Sequence, residues 1–311
     1  MNANPASAQN LLRLVVCLAG IVLIGCVISP PLYWIGSWLA AVGVLPIVEG
    51  FPFHRYFSRS IQIATVLMLW PAFRWIGIRR LEPLGIHPNP QWKSDLALGF
   101  AVAAVPAALM AAGLLAYGVY VPNAERALGG LLRIAGTAAV VSAIEEFLFR
   151  GVLLGLCLMA MRPAAAVLLS SFLFAAVHFL RPLKKAGTEP VTWTSGFEQL
   201  PLVFSSAPPW PLLGWGFATL LLAGILLAGA TISTRSLFLA IGVHAGWIFC
   251  QQGLRWFAKF QPGPTELLPV VGDNVVSGAV PTGLLPLGMV ALTGLGIYFV
   301  TRHAKSRRSP V

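Results

Sequence analysis

The stretch Val140-Val141-Ser142-Ala143-Ile144-Glu145-Glu146-Phe147-Leu148-Phe149-Arg150-Gly151 decides how the chain is read. It holds three ionisable residues, yet apolar residues continue on both sides of it, from about 131 to about 159. That length exceeds the roughly 20 residues a helix needs to cross the hydrocarbon of a bilayer. Charged groups inside such a span are costly and call for a packing or functional reason.

Outward from this segment the apolar pattern repeats, at approximately 11–29, 32–48, 60–78, 96–118, 163–180, 212–232, 236–257 and 283–302. Of 311 residues, 57% are hydrophobic and only 10% charged, with a mean hydropathy of +0.80. A soluble domain carries about a quarter charged residues. The expectation is an all-α fold, a polytopic transmembrane helix bundle of about eight or nine helices. It forms a single domain over 1–311, with a core at 131–257 that carries the chemistry. Arg13 ahead of the first apolar run and Leu23-Ile24-Gly25-Cys26 within it have the look of a signal sequence, but one basic residue before a membrane bundle favours a retained first helix. The longest polar stretches, 79–95, 181–210 and 258–282, read as connections; Pro83, Pro88, Asn89 and Pro90 are loop chemistry.

The net charge of +11 does not indicate a nucleic-acid partner, because the basic residues lie at segment ends and in loops, where they anchor a helix beside lipid headgroups. The basic tail Arg302, Lys305, Arg307 and Arg308 favours a cytoplasmic C-terminus, with Arg79, Arg80, Lys93, Arg162 and Arg235 on the same side. Arg181, Lys184, Lys185 and Lys259 fall opposite and nearly balance them. The expected partners are membrane lipid and a membrane-associated peptide or protein, in a bacterial inner membrane. Cys17, Cys26, Cys157 and Cys250 each lie in an apolar stretch and form no CxxC pair, so they read as small hydrophobes.

Helix geometry divides the roles within the opening stretch. Glu146 and Arg150 are four residues apart with the carboxylate on the N-terminal side, the favourable order for an ion pair. Glu145 points about 100° away from Glu146 and escapes that neutralisation. A carboxylate left unpaired in low dielectric suits a general base or acid. Two further apolar spans carry a histidine, His178 after Phe174 and His244 after Gly242. Phe174 and His178 share a helix face, so the ring can orient the imidazole. His178 and His244 can converge on Glu145, and a carboxylate with two imidazoles beside water can activate it and stabilise an oxyanion. One Glu–Arg pair alone would be explained by helix packing; the extra carboxylate and two mid-span histidines go beyond that need.

Other proteolytic chemistries lack their residues. No His is followed by Glu, so HExxH is absent, and the only aspartates, Asp95 and Asp273, fall in expected loops. No Ser stands in a GxSxG context. A proton-coupled transporter would also use buried Glu, His and Arg, but inverted repeats are not visible. A zinc ion on Glu145, His178 and His244 is a chemical variant of the same cluster; the expectation is no metal and no cofactor.

These residues resemble the CPBP family (CAAX protease and bacteriocin-processing, or Abi) of intramembrane glutamic endopeptidases, similar to type II CAAX prenyl endopeptidases. The family's EExxxR motif is matched by Glu145-Glu146-Phe147-Leu148-Phe149-Arg150, and its FxxxH motif by Phe174-Ala175-Ala176-Val177-His178. Of its HxxxN or HxxxD motif only His244 is present, with Ile248 in the last position. The resemblance implies that Glu145 activates water, His178 polarises it, His244 stabilises the oxyanion, and Glu146 and Arg150 orient the site, without a metal. Ile248 removes a hydrogen-bond donor, a loss worth roughly 100- to 1000-fold in rate, and Gln251, on the same face as His244, is the residue placed to substitute. A non-catalytic binding or immunity protein on the same scaffold is the alternative that Ile248 raises.

Overall fold

The computed structural model describes residues 5–77, 80, 82–84, 86–123, 128–180, 190–205, 208–276 and 280–308. Arg79, Arg181, Lys184 and Lys185, used above to weigh orientation, lie outside the described residues. In chain order the elements are α1 (Pro5–Ala41), α2 (Phe53–Ile76), α3 (Trp92–Ala116), β1 (Tyr120–Pro122), α4 (Gly130–Glu146), a π-helical segment (Phe147–Leu153) and α5 (Leu154–Ala160). They continue with α6 (Pro163–Val177), α7 (Ser195–Ser205), α8 (Trp210–Thr234), α9 (Phe238–Phe257), β2 (Ala258–Phe260), β3 (Gly272–Val276), β4 (Val280–Thr282) and α10 (Leu284–Arg308).

The fold is a helical membrane bundle, as expected. Among the described residues four helices are long and apolar enough to cross a membrane: Val15–Ala41, Trp92–Ala116, Trp210–Thr234 and Leu284–Arg302. The chain is an integral membrane protein. Helices α4 and α9, which carry Glu145, Glu146 and His244, and α6, which His178 follows, are not among these four.

Three local readings are corrected. The apolar runs 11–29 and 32–48 were separated at Pro30-Pro31, yet α1 runs unbroken through both prolines to Ala41, and residues 46–48 form only a 3-10 turn. Proline is tolerated in membrane helices where neighbouring groups satisfy the freed carbonyls. The polar stretch 181–210 contains α7, whose Ser195, Gln199 and Val203 recur every four residues and form a buried stripe. Residues 258–282 are not a simple loop. Antiparallel β1–β2 pairs Tyr120 with Phe260, and β3–β4 pairs Gly272 with Thr282.

The chain divides into two compact units: Met1–Arg80 with Leu180–Ala207, and Leu81–Phe179 with Pro208–Val311. In the first, α1 packs on α2, and Cys26, Phe53, Phe57 and Val203 form a small core. The second holds all the residues of interest. Its α3 and α9 run parallel and almost touch backbone to backbone: a Cβ on Gly99 would collide with the Leu239 carbonyl, and one on Gly242 with the Leu96 carbonyl. A Cβ on Gly246 would stand 2.7 Å from the Phe100 carbonyl oxygen. Small residues at such crossings are how membrane helices gain packing contact without a hydrophobic driving force. The result fixes α9, and with it His244, against a rigid neighbour. Trp247 extends the same face toward α10, where its indole N–H donates to Thr293 Oγ1 at 3.3 Å.

Helix α6 is short. Its 15 residues cover about 22 Å at 1.5 Å per residue, less than the ~30 Å hydrocarbon thickness. His178, just past the end of α6, and His244, in the second turn of α9, bring their Nε2 atoms to 3.8 and 3.9 Å from Glu145 Oε2.

Candidate active site

Glu145 and Glu146 close α4, and the chain then widens into π-helical turns over Phe147–Leu153. Such a segment is uncommon and recurs at functional sites. It keeps Arg150 on the Glu146 side: Arg150 Nη1 donates to Glu146 Oε1 at 2.9 Å, with the two side chains 2% and 0% exposed. The guanidinium also lies 4.0 Å from the centre of the Phe174 ring, a cation–π contact. Phe174 in turn meets the rings of both histidines edge-on, at 4.6 Å for His178 and 5.9 Å for His244. One buried aromatic ring thus underlies the whole cluster.

Each imidazole is oriented by a partner at Nδ1. His178 Nδ1 lies 2.7 Å from the Phe174 carbonyl oxygen. A carbonyl only accepts, so this nitrogen carries the proton and donates. His244 Nδ1 lies 2.8 Å from Glu146 Oε1, the same oxygen that accepts from Arg150. A carboxylate likewise accepts, so His244 Nδ1–H donates to it. Both Nε2 atoms are therefore turned the other way, and both face Glu145 Oε2, at 3.8 Å from His178 and 3.9 Å from His244.

These separations are too long for direct hydrogen bonds and suited to a bridging water. Glu145 Oε2 is itself shielded from solvent and has no hydrogen-bond partner in the protein, although the side chain as a whole is 29% exposed. The two carboxylates of the motif are held differently: Glu146 Oε1 is shared by a guanidinium and an imidazole, with its Oε2 buried and unbonded, while Glu145 Oε2 faces two imidazoles without a direct bond to either.

A cavity of about 40 Å³ adjoins the cluster, bounded by Phe174, His178, His244, Trp247, Ile248 and Gln251. That is enough for a few water molecules. Gln251 is buried and lines the same cavity as the two histidines. Ile248 also lines it, and packs with Ala138 of α4 and Ala245, so the aliphatic residue fills the α4–α9 contact. Among the described residues no three His, Cys, Asp or Glu side chains are arranged to hold a metal ion.

The structure brings Glu145, Glu146, Arg150, Phe174, His178 and His244 into one cluster and places Gln251 beside it. Sequence reasoning missed the His244–Glu146 bond, which joins residues 98 positions apart. It also missed Thr219 of α8, a buried residue in the cavity wall; a threonine in an apolar helix carries no signal that would single it out.

No curated protein and no solved structure matches the chain. Residues 127–250 match the family model described as type II CAAX prenyl endopeptidase Rce1-like. The matched segment contains every residue of the cluster from Glu145 to His244, includes Ile248, and stops one residue before Gln251. Through this segment the chain is similar to the type II CAAX prenyl endopeptidase family.

Proposed function

We propose that the protein is an intramembrane endopeptidase that hydrolyses a peptide bond in a membrane-associated protein or peptide, with Glu145 as the base. The observation that carries this is the unpartnered Glu145 Oε2 facing two imidazole Nε2 atoms at 3.8 and 3.9 Å. The similarity of residues 127–250 to a protease family supports the reaction class.

In this reading a water lies between Glu145 Oε2 and His178 Nε2 and donates a hydrogen to each acceptor, leaving its oxygen lone pair toward the substrate. Glu145 takes one proton as the oxygen bonds to the carbonyl carbon. The carbonyl oxygen becomes an oxyanion, and His244 as imidazolium donates to it from Nε2 while Glu146 balances the charge at Nδ1. The proton on Glu145 then passes to the amide nitrogen, the C–N bond breaks, and the amine leaves. Gln251 supplies the second oxyanion donor that Ile248 cannot.

One specific observation favours a second reading. Ile248 stands in the cavity wall where the family motif carries Asn or Asp, and a scaffold that binds membrane peptides without cutting them tolerates this. Purified protein in detergent or lipid, incubated with a library of membrane peptides beside Glu145→Ala and with or without chelator, separates the two. Cleavage lost in the variant and indifferent to chelator supports the glutamic protease. Chelator-sensitive cleavage points to a metal on the same residues. Peptide capture without cleavage by the wild type establishes the binding protein.

A further inference from the structure

Helix α10 reaches the cavity at the two histidines although it carries none of Glu145, Glu146, Arg150, His178 or His244. It also lies beyond the segment that matches the family model. Val290 of α10 lines the cavity beside Phe174, His178 and His244. Thr293, three residues on and so on the same helix face, is fully buried among apolar neighbours such as Met289, Val290 and Ile297. The helix is firmly seated. A Cβ on Gly294 would stand 2.9 Å from Leu226 of α8, and one on Gly296 2.5 Å from Val102 of α3.

Thr293 joins a directed chain of hydrogen bonds. Its hydroxyl has one hydrogen, which it donates to the Met289 carbonyl at 3.1 Å. Toward the indole it can therefore only accept, and Trp247 Nε1–H donates to it at 3.3 Å. A buried indole N–H needs such a partner, since it has no acceptor capacity of its own. Trp247 is buried, follows His244 by three residues on α9, and lines the cavity that both imidazoles line. The α9 backbone beneath it is held by α3, where Gly242 and Gly246 close on the Leu96 and Phe100 carbonyls. Backbone packing thus fixes where the side chain starts, and Thr293 fixes where the ring ends.

We infer that Thr293 is a positioning residue: by holding the Trp247 indole it sets the shape of the cavity at His178 and His244. Its effect on rate rests on the proposed peptidase reading, whereas its hold on the ring is tested without cleavage. The cavity measures only about 40 Å³, so a small swing of so large a ring changes how much water it takes and where that water lies. Misplacing a reacting group by about 1 Å can cost roughly 100-fold in rate.

The test uses full-length protein in lipid nanodiscs with isotope-labelled histidine, read by the ring resonances of His244 and by single-turnover cleavage of a membrane peptide. Thr293→Val keeps the side-chain shape and removes the acceptor; Thr293→Ser keeps the hydroxyl. Thr301→Val is the matched control, because Thr301 is buried two turns farther along α10 and bonds the Ile297 carbonyl at 2.9 Å in the same way. The expected result in Thr293→Val is shifted His244 resonances and a rate at least about tenfold lower at unchanged peptide affinity. Both return in Thr293→Ser, and neither change occurs in Thr301→Val. In a Trp247→Phe background, where the donor is gone, Thr293→Val should change neither reading further. Resonances unmoved by Thr293→Val, or moved as far by Thr301→Val or in the Trp247→Phe background, overturn the positioning role. So does a Thr293→Val protein that cuts at the wild-type rate. A Thr293→Val protein that fails to fold supports the bond if Trp247→Phe repairs it and counts against it otherwise. The expected shifts in a protein that cleaves nothing leave the hold on the ring standing and remove the peptidase reading.

Discussion

Arg150→Met is the substitution whose consequence the structure determines most closely. The guanidinium is 2% exposed, and its partner Glu146 is 0% exposed. Methionine preserves much of the side-chain length but removes the charge and the donors of the guanidinium. Glu146 then stays buried with the His244 N–H as its one remaining donor. Removing one member of a buried pair costs about 3–5 kcal/mol, because the other charge is left uncompensated. Losing the contact with Phe174, at 4.0 Å, adds up to ~2 kcal/mol. The His244 N–H bond that remains to Glu146 offsets part of this. The expected net loss is therefore about 3 kcal/mol, read as a lower midpoint in SDS unfolding of purified protein. The double variant Arg150→Met/Glu146→Gln removes both charges and should lose less than the two single variants added together, with a coupling of about 1–3 kcal/mol. A strictly additive cycle, or an Arg150→Met protein as stable as wild type, would refute the claim that this pair is desolvated and interdependent.

Three further outcomes follow from the same geometry. Gln251→Leu should lower kcat by roughly 100-fold or more with little change in KM, and adding Ile248→Asn to it should restore part of the loss; an unchanged kcat removes Gln251 from the oxyanion site. Phe174→Ala should destabilise by about 3–5 kcal/mol, since the ring is buried beneath Arg150 and both imidazoles; a loss below 1 kcal/mol in the same unfolding assay would show that it is not a packing centre. Gly246→Val drives a side chain against the Phe100 carbonyl and should cost about 1–3 kcal/mol, measured by thermal unfolding; a neutral result would contradict the close α3–α9 crossing.

The parts of the site that were legible in the sequence are those set by local helix geometry. Glu146 and Arg150 meet because residues four apart share a helix face, and Phe174 reaches His178 for the same reason. The convergence of two histidines on Glu145 was inferable only as a requirement of buried charge, since His178 and His244 belong to separate helices. That His244 also bonds Glu146, and so ties the two carboxylates together, had no local signal. Nor did the π-helical turns at Phe147–Leu153, which depend on how the helix is held by its neighbours. Helix ends were read from where apolar residues stop, a rule that fails at Pro30-Pro31, where the membrane helix tolerates two imino acids. It failed again at 195–205, where Ser195 and Gln199 face inward and disguise an amphipathic helix as a loop.

The central claim is that Glu145, and not Glu146, moves the proton. Its most direct test compares Glu145→Gln and Glu146→Gln with wild type on one identified peptide, each variant first shown to be folded by its unfolding midpoint. The account predicts that Glu145→Gln retains wild-type stability and peptide binding while its single-turnover rate falls by roughly 100- to 10,000-fold. Glu146→Gln should instead lose stability. A Glu145→Gln protein that still cuts at the wild-type rate would contradict the account.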